Sequence, residues 1–115
     1  MKKYFTTFYL DKERDIVVNL YKENIDELTY VIETPNHNTD NLITNLAKIC
    51  GVETTKNEND MKIITGTIPA CINAKNEDVY IFRLGGYKIA NIFDDKGVQL
   101  NGQIPAISKT LMSQT

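Results

Sequence analysis

The residue best placed to do chemistry is Arg83, in the run Val79-Tyr80-Ile81-Phe82-Arg83-Leu84. A guanidinium among apolar neighbours has two fates. Exposed, it is an ordinary solvated charge. Buried, it must find a carboxylate or a ligand anion, because an unpaired interior charge is too costly. Tyr87, Lys88 and Asn91 follow in the same stretch. With Arg83 they form a candidate ligand- or partner-binding set, suited to a small, nucleotide-like anion held at a homo-oligomer interface.

The other reactive residues do not assemble by spacing. His37 is the single histidine, and Cys50 and Cys71 are the only cysteines. Neither Cys-x-x-Cys nor His-x-x-x-His occurs, so zinc spacing is missing. A pair of His37 with Cys50 or Cys71 is formally open to nucleophilic chemistry. Cys50 lies on an apolar stripe and reads as a small core hydrophobe, whereas Cys71 falls in an expected loop. Glu33, Asp94 and Asp95 are candidate general acids or bases, but nothing in the sequence pairs them. Asp94-Asp95 has no EF-hand continuation and reads as turn chemistry. Gly85-Gly86 lacks phosphate-loop spacing, and no Gly-x-Ser-x-Gly elbow exists. No catalytic residue, metal or cofactor is expected, and an enzyme is the less favoured class.

The element that must position Arg83 is a β-hairpin over 79–93. Gly85-Gly86 supplies the positive φ angles of a primed two-residue turn. Alternation puts Tyr80, Phe82 and Leu84 on one face and Val79, Ile81 and Arg83 on the other. Upstream, strands are expected over 3–10, 15–21 and 28–34, joined by short turns into an antiparallel meander. Strict alternation on the first strand puts Tyr4, Thr6, Phe8 and Leu10 together and Phe5, Thr7 and Tyr9 opposite. Leu42, Ile43, Leu46, Ala47, Ile49 and Cys50 recur at helical spacing, between the cap residues Asn38-Thr39 and Gly51. They predict the main helix over about 39–50, lying across the sheet. A short strand at 52–55, a polar tip at 56–60 and a strand over 61–68 follow. Gly66 marks a bulge or a close backbone approach. Pro69 to Ala74 reads as a helical turn or loop. Asp94-Asp95-Lys96-Gly97 turns into a strand over 98–100, a brief return is expected at 103–104, and a last short helix over 106–112. The expected fold is a single α+β domain, 1–115, with one layer of helix on an antiparallel sheet.

Composition bounds the rest. An apolar fraction of 42% and a charged fraction of 24% are ordinary for a globular protein of 115 residues. The net charge of −2 gives no field toward nucleic acid or anionic lipid. No apolar run approaches the ~20 residues of a membrane helix. The N-terminal Met1-Lys2-Lys3 and the short apolar run after it lack a signal-peptide cleavage site. Two cysteines are no disulfide framework, so free thiols in the reducing cytoplasm are expected. Frequent lysine, asparagine and isoleucine point to an AT-rich bacterial, viral or plasmid genome. Tyr4, Phe5, Phe8, Tyr9, Tyr21 and Tyr30 crowd the meander. Base stacking would use such aromatics, but the basic residues are too dispersed for nucleic acid. Aromatics on both faces imply that one outer face meets a partner or a second copy. The expected function is therefore a small non-enzymatic binding protein that occupies a larger protein's surface, as inhibitors and immunity proteins do. A small-anion binder at a homo-oligomer interface and an enzyme with an unrecognised site are the alternatives.

Overall fold

Runs of alternating β-branched and aromatic residues make strands wherever the chain is described. The computed structural model describes residues 3–12, 15–24, 26–35, 56–58, 61–72, 74–84 and 87–101, with the backbone alone at 56–58, 61–62 and 87. The elements are β1 (Lys3–Asp11), β2 (Ile16–Asn24), β3 (Glu27–Pro35), β4 (Lys56–Glu58), β5 (Met61–Ile72), β6 (Asp78–Leu84), β7 (Tyr87–Phe93) and β8 (Val98–Leu100). All pairings are antiparallel, in the order β1-β2-β3-β5-β6-β7-β8, with β4 attached to β5.

The α+β expectation is corrected: the described fold is all-β, a barrel-like sheet that is nearly closed. No helix is needed to hide the meander's apolar face, because the second half of the same sheet curls over it. Phe8 of β1 meets Phe82 of β6 edge-on at 6.0 Å, and Phe5 meets Tyr80 at 6.4 Å. Tyr30 of β3 lies 5.1 Å from Phe82. Leu10, Ile16, Leu20, Leu28, Ile64 and Ile89 fill the same interior. Each such side chain contributes about 1.5–3 kcal/mol by leaving water. The expected helices at 39–50 and 106–112 lie outside the described residues, as do the short strands at 52–55 and 103–104.

The corner is made by β5. It pairs with β3 along Met61–Pro69, then with β6 along Ala70–Ile72. A strand that changes partners carries one sheet into another at an angle. This corrects the loop expected at Pro69–Ala74, since the strand runs on to Ile72. Pro69 has no N–H to give, and it sits where β5 leaves one partner for the next. The Ala70 N–H beside it donates to the Asp26 carbonyl at 2.7 Å. The polar tip is corrected too: Lys56–Glu58 pairs with Ile63–Met61 as a small hairpin.

Gly66 is a close approach rather than a bulge, because the β3–β5 register runs unbroken past it. The Tyr30 ring, its cross-strand partner, lies over the glycine, where a Cβ would collide with the ring atoms. On β1 the strict alternation fails. A register shift between Tyr4 and Thr6 turns Phe5, Phe8 and Leu10 inward and leaves Tyr4, Thr7 and Tyr9 outside. One inserted residue flips the phase of a strand. In the β7–β8 turn Lys96, not Gly97, takes the positive φ, at 69°.

Candidate functional site: a neutral tyrosine face

Four strands, β1, β2, β3 and β5, turn one face inward and one outward. Away from the strand ends the outward residues form three cross-strand rows: Tyr4-Tyr21-Thr29-Thr67, Thr7-Asn19-Val31-Thr65 and Tyr9-Val17-Glu33-Ile63, and the outward pair Glu27-Pro69 lies beyond the first of them. Glu33 is the only charged residue in the three rows, and Glu27 adds a second at the start of β3. A solvated sheet face ordinarily carries lysine and glutamate, which protect against association. Interface centres instead lose those residues and gain tyrosine. Here the charges stand at the strand ends, as the exposed Lys3, Lys12, Asp15, Glu23 and Asp26.

Two of this face's tyrosines are exposed, and one of them, Tyr4, is held in place. Tyr4 is 59% accessible and Tyr9 46%. Tyr4 stands edge-on to Tyr21 with ring centres 6.1 Å apart. The Thr7 hydroxyl donates to Asn19 Oδ1 at 2.6 Å. Its single proton is thereby used, so the Tyr4 hydroxyl is the donor in its 2.8 Å bond to Thr7 Oγ1. The chain of bonds runs Tyr4 to Thr7 to Asn19 and tethers the Tyr4 hydroxyl, while the Tyr21 ring packs against the Tyr4 ring. An aromatic already held in place loses little entropy when a partner covers it.

The four residues read from the sequence lie on the other half of the sheet. Arg83 is exposed on the outer face of β6, which settles its two fates in favour of the solvated one. Lys88 is its cross-strand partner on β7, half-buried, so two like charges stand opposite each other. Neither has an ion pair among the described residues. Asn91 pairs with Ile81 on one side and Gln99 on the other. Lys88 and Asn91 share a shallow cleft of about 300 Å³ with Gln99, Leu100 and Asn101. Arg83 lines a different opening, between β5 and β6. Tyr87 opens β7 opposite Leu84. The structure thus brings Lys88 and Asn91 together and sets Arg83 beside a separate groove.

The remaining chemistry is dispersed. Asp94 binds the Lys22 ammonium, and Asp95 Oδ1 accepts the Gly97 N–H at 3.0 Å. Both carboxylates therefore serve the fold at the β7–β8 turn. Lys22 also lies 5.9 Å from the centre of the Tyr80 ring. The Asp94 carboxylate beside it raises the Lys22 pKa above the ordinary 10.5, against a smaller opposing effect of desolvation. Cys71 is a free, half-buried thiol donating to the Val79 carbonyl at 3.3 Å. His37 and Cys50 lie outside the described residues. Among the described residues no three His, Cys, Asp or Glu side chains could hold a metal ion, and no helix is long and apolar enough to cross a membrane.

Sequence reasoning finds aromatics on both sides of the meander but misses the face they belong to. The signal was available in the strand middles, where Tyr4, Thr7, Tyr9, Val17, Asn19, Tyr21, Thr29 and Val31 stand in place of the usual lysine and glutamate. Comparison of the chain with protein families, with curated proteins and with solved structures gives no match.

Proposed function

We propose that this chain is a non-enzymatic binding protein that acts by occupying a partner protein's surface, with the outer face of β1, β2, β3 and β5 as the contact. The observation that carries the reading is the near absence of charge on that face, in a chain whose charged fraction is 24%. The restrained Tyr4 and the exposed Tyr9 are the anchors, since tyrosines dominate interface energetics where they are already ordered. The mixed charges at the strand ends make the polar rim that surrounds such centres. A free Cys71 fits a reducing, cytoplasmic setting.

Native mass spectrometry on protein purified gently from its own source tests the reading. The expected result is a larger protein bound at fixed stoichiometry. Tyr4→Ala and Tyr9→Ala should each weaken that complex by about 30-fold, the ~2 kcal/mol of an interface hot spot. Asn91→Ala, on the other half of the sheet, should leave it intact. Loss of the partner in Asn91→Ala but not in the tyrosine variants overturns the proposal. So does a bound small mass released on denaturation, which would shift attention to the Lys88–Asn91 cleft.

A further inference from the structure

The corner strand leaves two sheet edges facing an opening. Beyond the Ala70–Tyr80 pair, β5 and β6 diverge. Among the described residues no strand pairs with the β6-side edge of β5 over Ile64–Pro69, or with the β5-side edge of β6 over Ile81–Leu84. The groove between them measures about 390 Å³. Ile68 and Phe82, both from the core layer, form its floor, while Thr67, Ile81 and Arg83 stand on its lips.

We propose that this groove takes an extended segment of another protein, paired by its backbone to an open edge and carrying a carboxylate side chain opposite Arg83. Open edges offer ready N–H and C=O groups, and an added strand answers them while its alternate side chains enter pockets. The alternation here is specific. One side chain of the incoming strand points at the Ile68–Phe82 floor and must be apolar. Its neighbour stands at the lip beside Arg83. Arg83 and its cross-strand neighbour Lys88 have no ion pair among the described residues, so an acid at that position relieves their repulsion as well as pairing Arg83. The site stands apart from the tyrosine face, although Thr67 ends one of that face's rows.

The test is a display library of random ten-residue peptides selected against the full chain. Enriched peptides should alternate apolar residues with Asp or Glu. Their binding should protect backbone amides of Ile64–Ile68 or Ile81–Leu84 from hydrogen exchange. Arg83→Ala should weaken them about tenfold, as removal of a charge-assisted hydrogen bond does, and Arg83→Glu about 100-fold, because it puts repulsion in its place. Arg83 is exposed, so both variants should fold. No enrichment, enrichment without acids, equal binding to Arg83→Glu, or protection confined to β1 or β8 overturns the proposal. Tyr9→Ala should leave the peptides bound, so failure of the tyrosine face and failure of the groove are separate results.

Discussion

The two halves of the curled sheet bury one core and show the solvent different surfaces. Outside β1, β2, β3 and β5 stand tyrosine, threonine, asparagine and valine, with Tyr4, Thr7 and Asn19 linked by side-chain hydrogen bonds. Outside β6, β7 and β8 stand Arg83, Lys88, Asn91 and Gln99, with two cations set against each other. Inward positions obey packing in both halves, so they are alike: Phe8 meets Phe82, and Phe5 meets Tyr80. Outward positions are free of that demand. Where they depart from an ordinary charged surface, the departure is information about use rather than fold.

The sharpest way to break this comparison is to cut neighbouring residues of one strand. Phe8 points inward and Tyr9 outward. Phe8→Ala removes a ring from the seam between the halves and should cost about 3–5 kcal/mol, as large core truncations do. Tyr9→Ala should stay within about 0.5 kcal/mol, the usual range for a surface site. Urea melts of the two variants check the difference. A destabilisation by Tyr9→Ala approaching that of Phe8→Ala would mean that the tyrosine is part of the core and not of a surface kept for a partner.

The second way acts on the corner. Gly66→Ala puts a methyl group against the Tyr30 ring, which is buried and packed 5.1 Å from Phe82. Overpacking of this kind costs about 1–3 kcal/mol. In a Tyr30→Ala background the same change should cost far less, because contacting residues are not additive. Equal costs in both backgrounds, measured by denaturant unfolding, would show that the ring is not what Gly66 accommodates.

Much of the β-structure was legible because alternation and turn chemistry are local. The β6–β7 hairpin is present, paired as far as Leu84 and Tyr87, with Tyr80, Phe82 and Leu84 buried and Arg83 exposed, while the turn expected at Gly85-Gly86 lies outside the described residues. Three failures share a cause in pairing that no local pattern reports. The shift near Phe5 depends on how β1 meets β2, and it reversed the faces of Tyr4 and Phe5. The run of β5 through Pro69 depends on a change of partner there. The expected layer of helix on sheet assumed a flat sheet with an apolar side to cover, whereas curling supplies that cover from within. The candidate set of Arg83, Tyr87, Lys88 and Asn91 was close in sequence, but the β6–β7 face divides it between a cleft and a groove. The tyrosine face needs the register of four strands before its rows exist.

The smallest test concerns a charged tie across the halves, Lys22 of β2 with Asp94 of the β7–β8 turn. Their side chains are 30% and 51% accessible, so solvent screens the pair and its worth is that of a surface bridge, about 0.2–1 kcal/mol. The Lys22 pKa is raised in the folded state, chiefly by Asp94. A raised pKa means that the folded protein holds the proton more tightly than the unfolded chain. The stabilisation is then complete below the ordinary lysine value of 10.5 and fades as the pH climbs above it through the folded value. Lys22→Met keeps an unbranched stem of similar length and removes the ammonium, with its charge and its hydrogen bond to Asp94. The difference in stability between the wild type and Lys22→Met should be constant from pH 7 to about 9 and shrink above about 10.5. It should also narrow in high salt, since exposed pairs are screened. A difference that ignores both alkali and salt would make Lys22 a packing residue, and its pair with Asp94 would then contribute nothing to holding the two halves together.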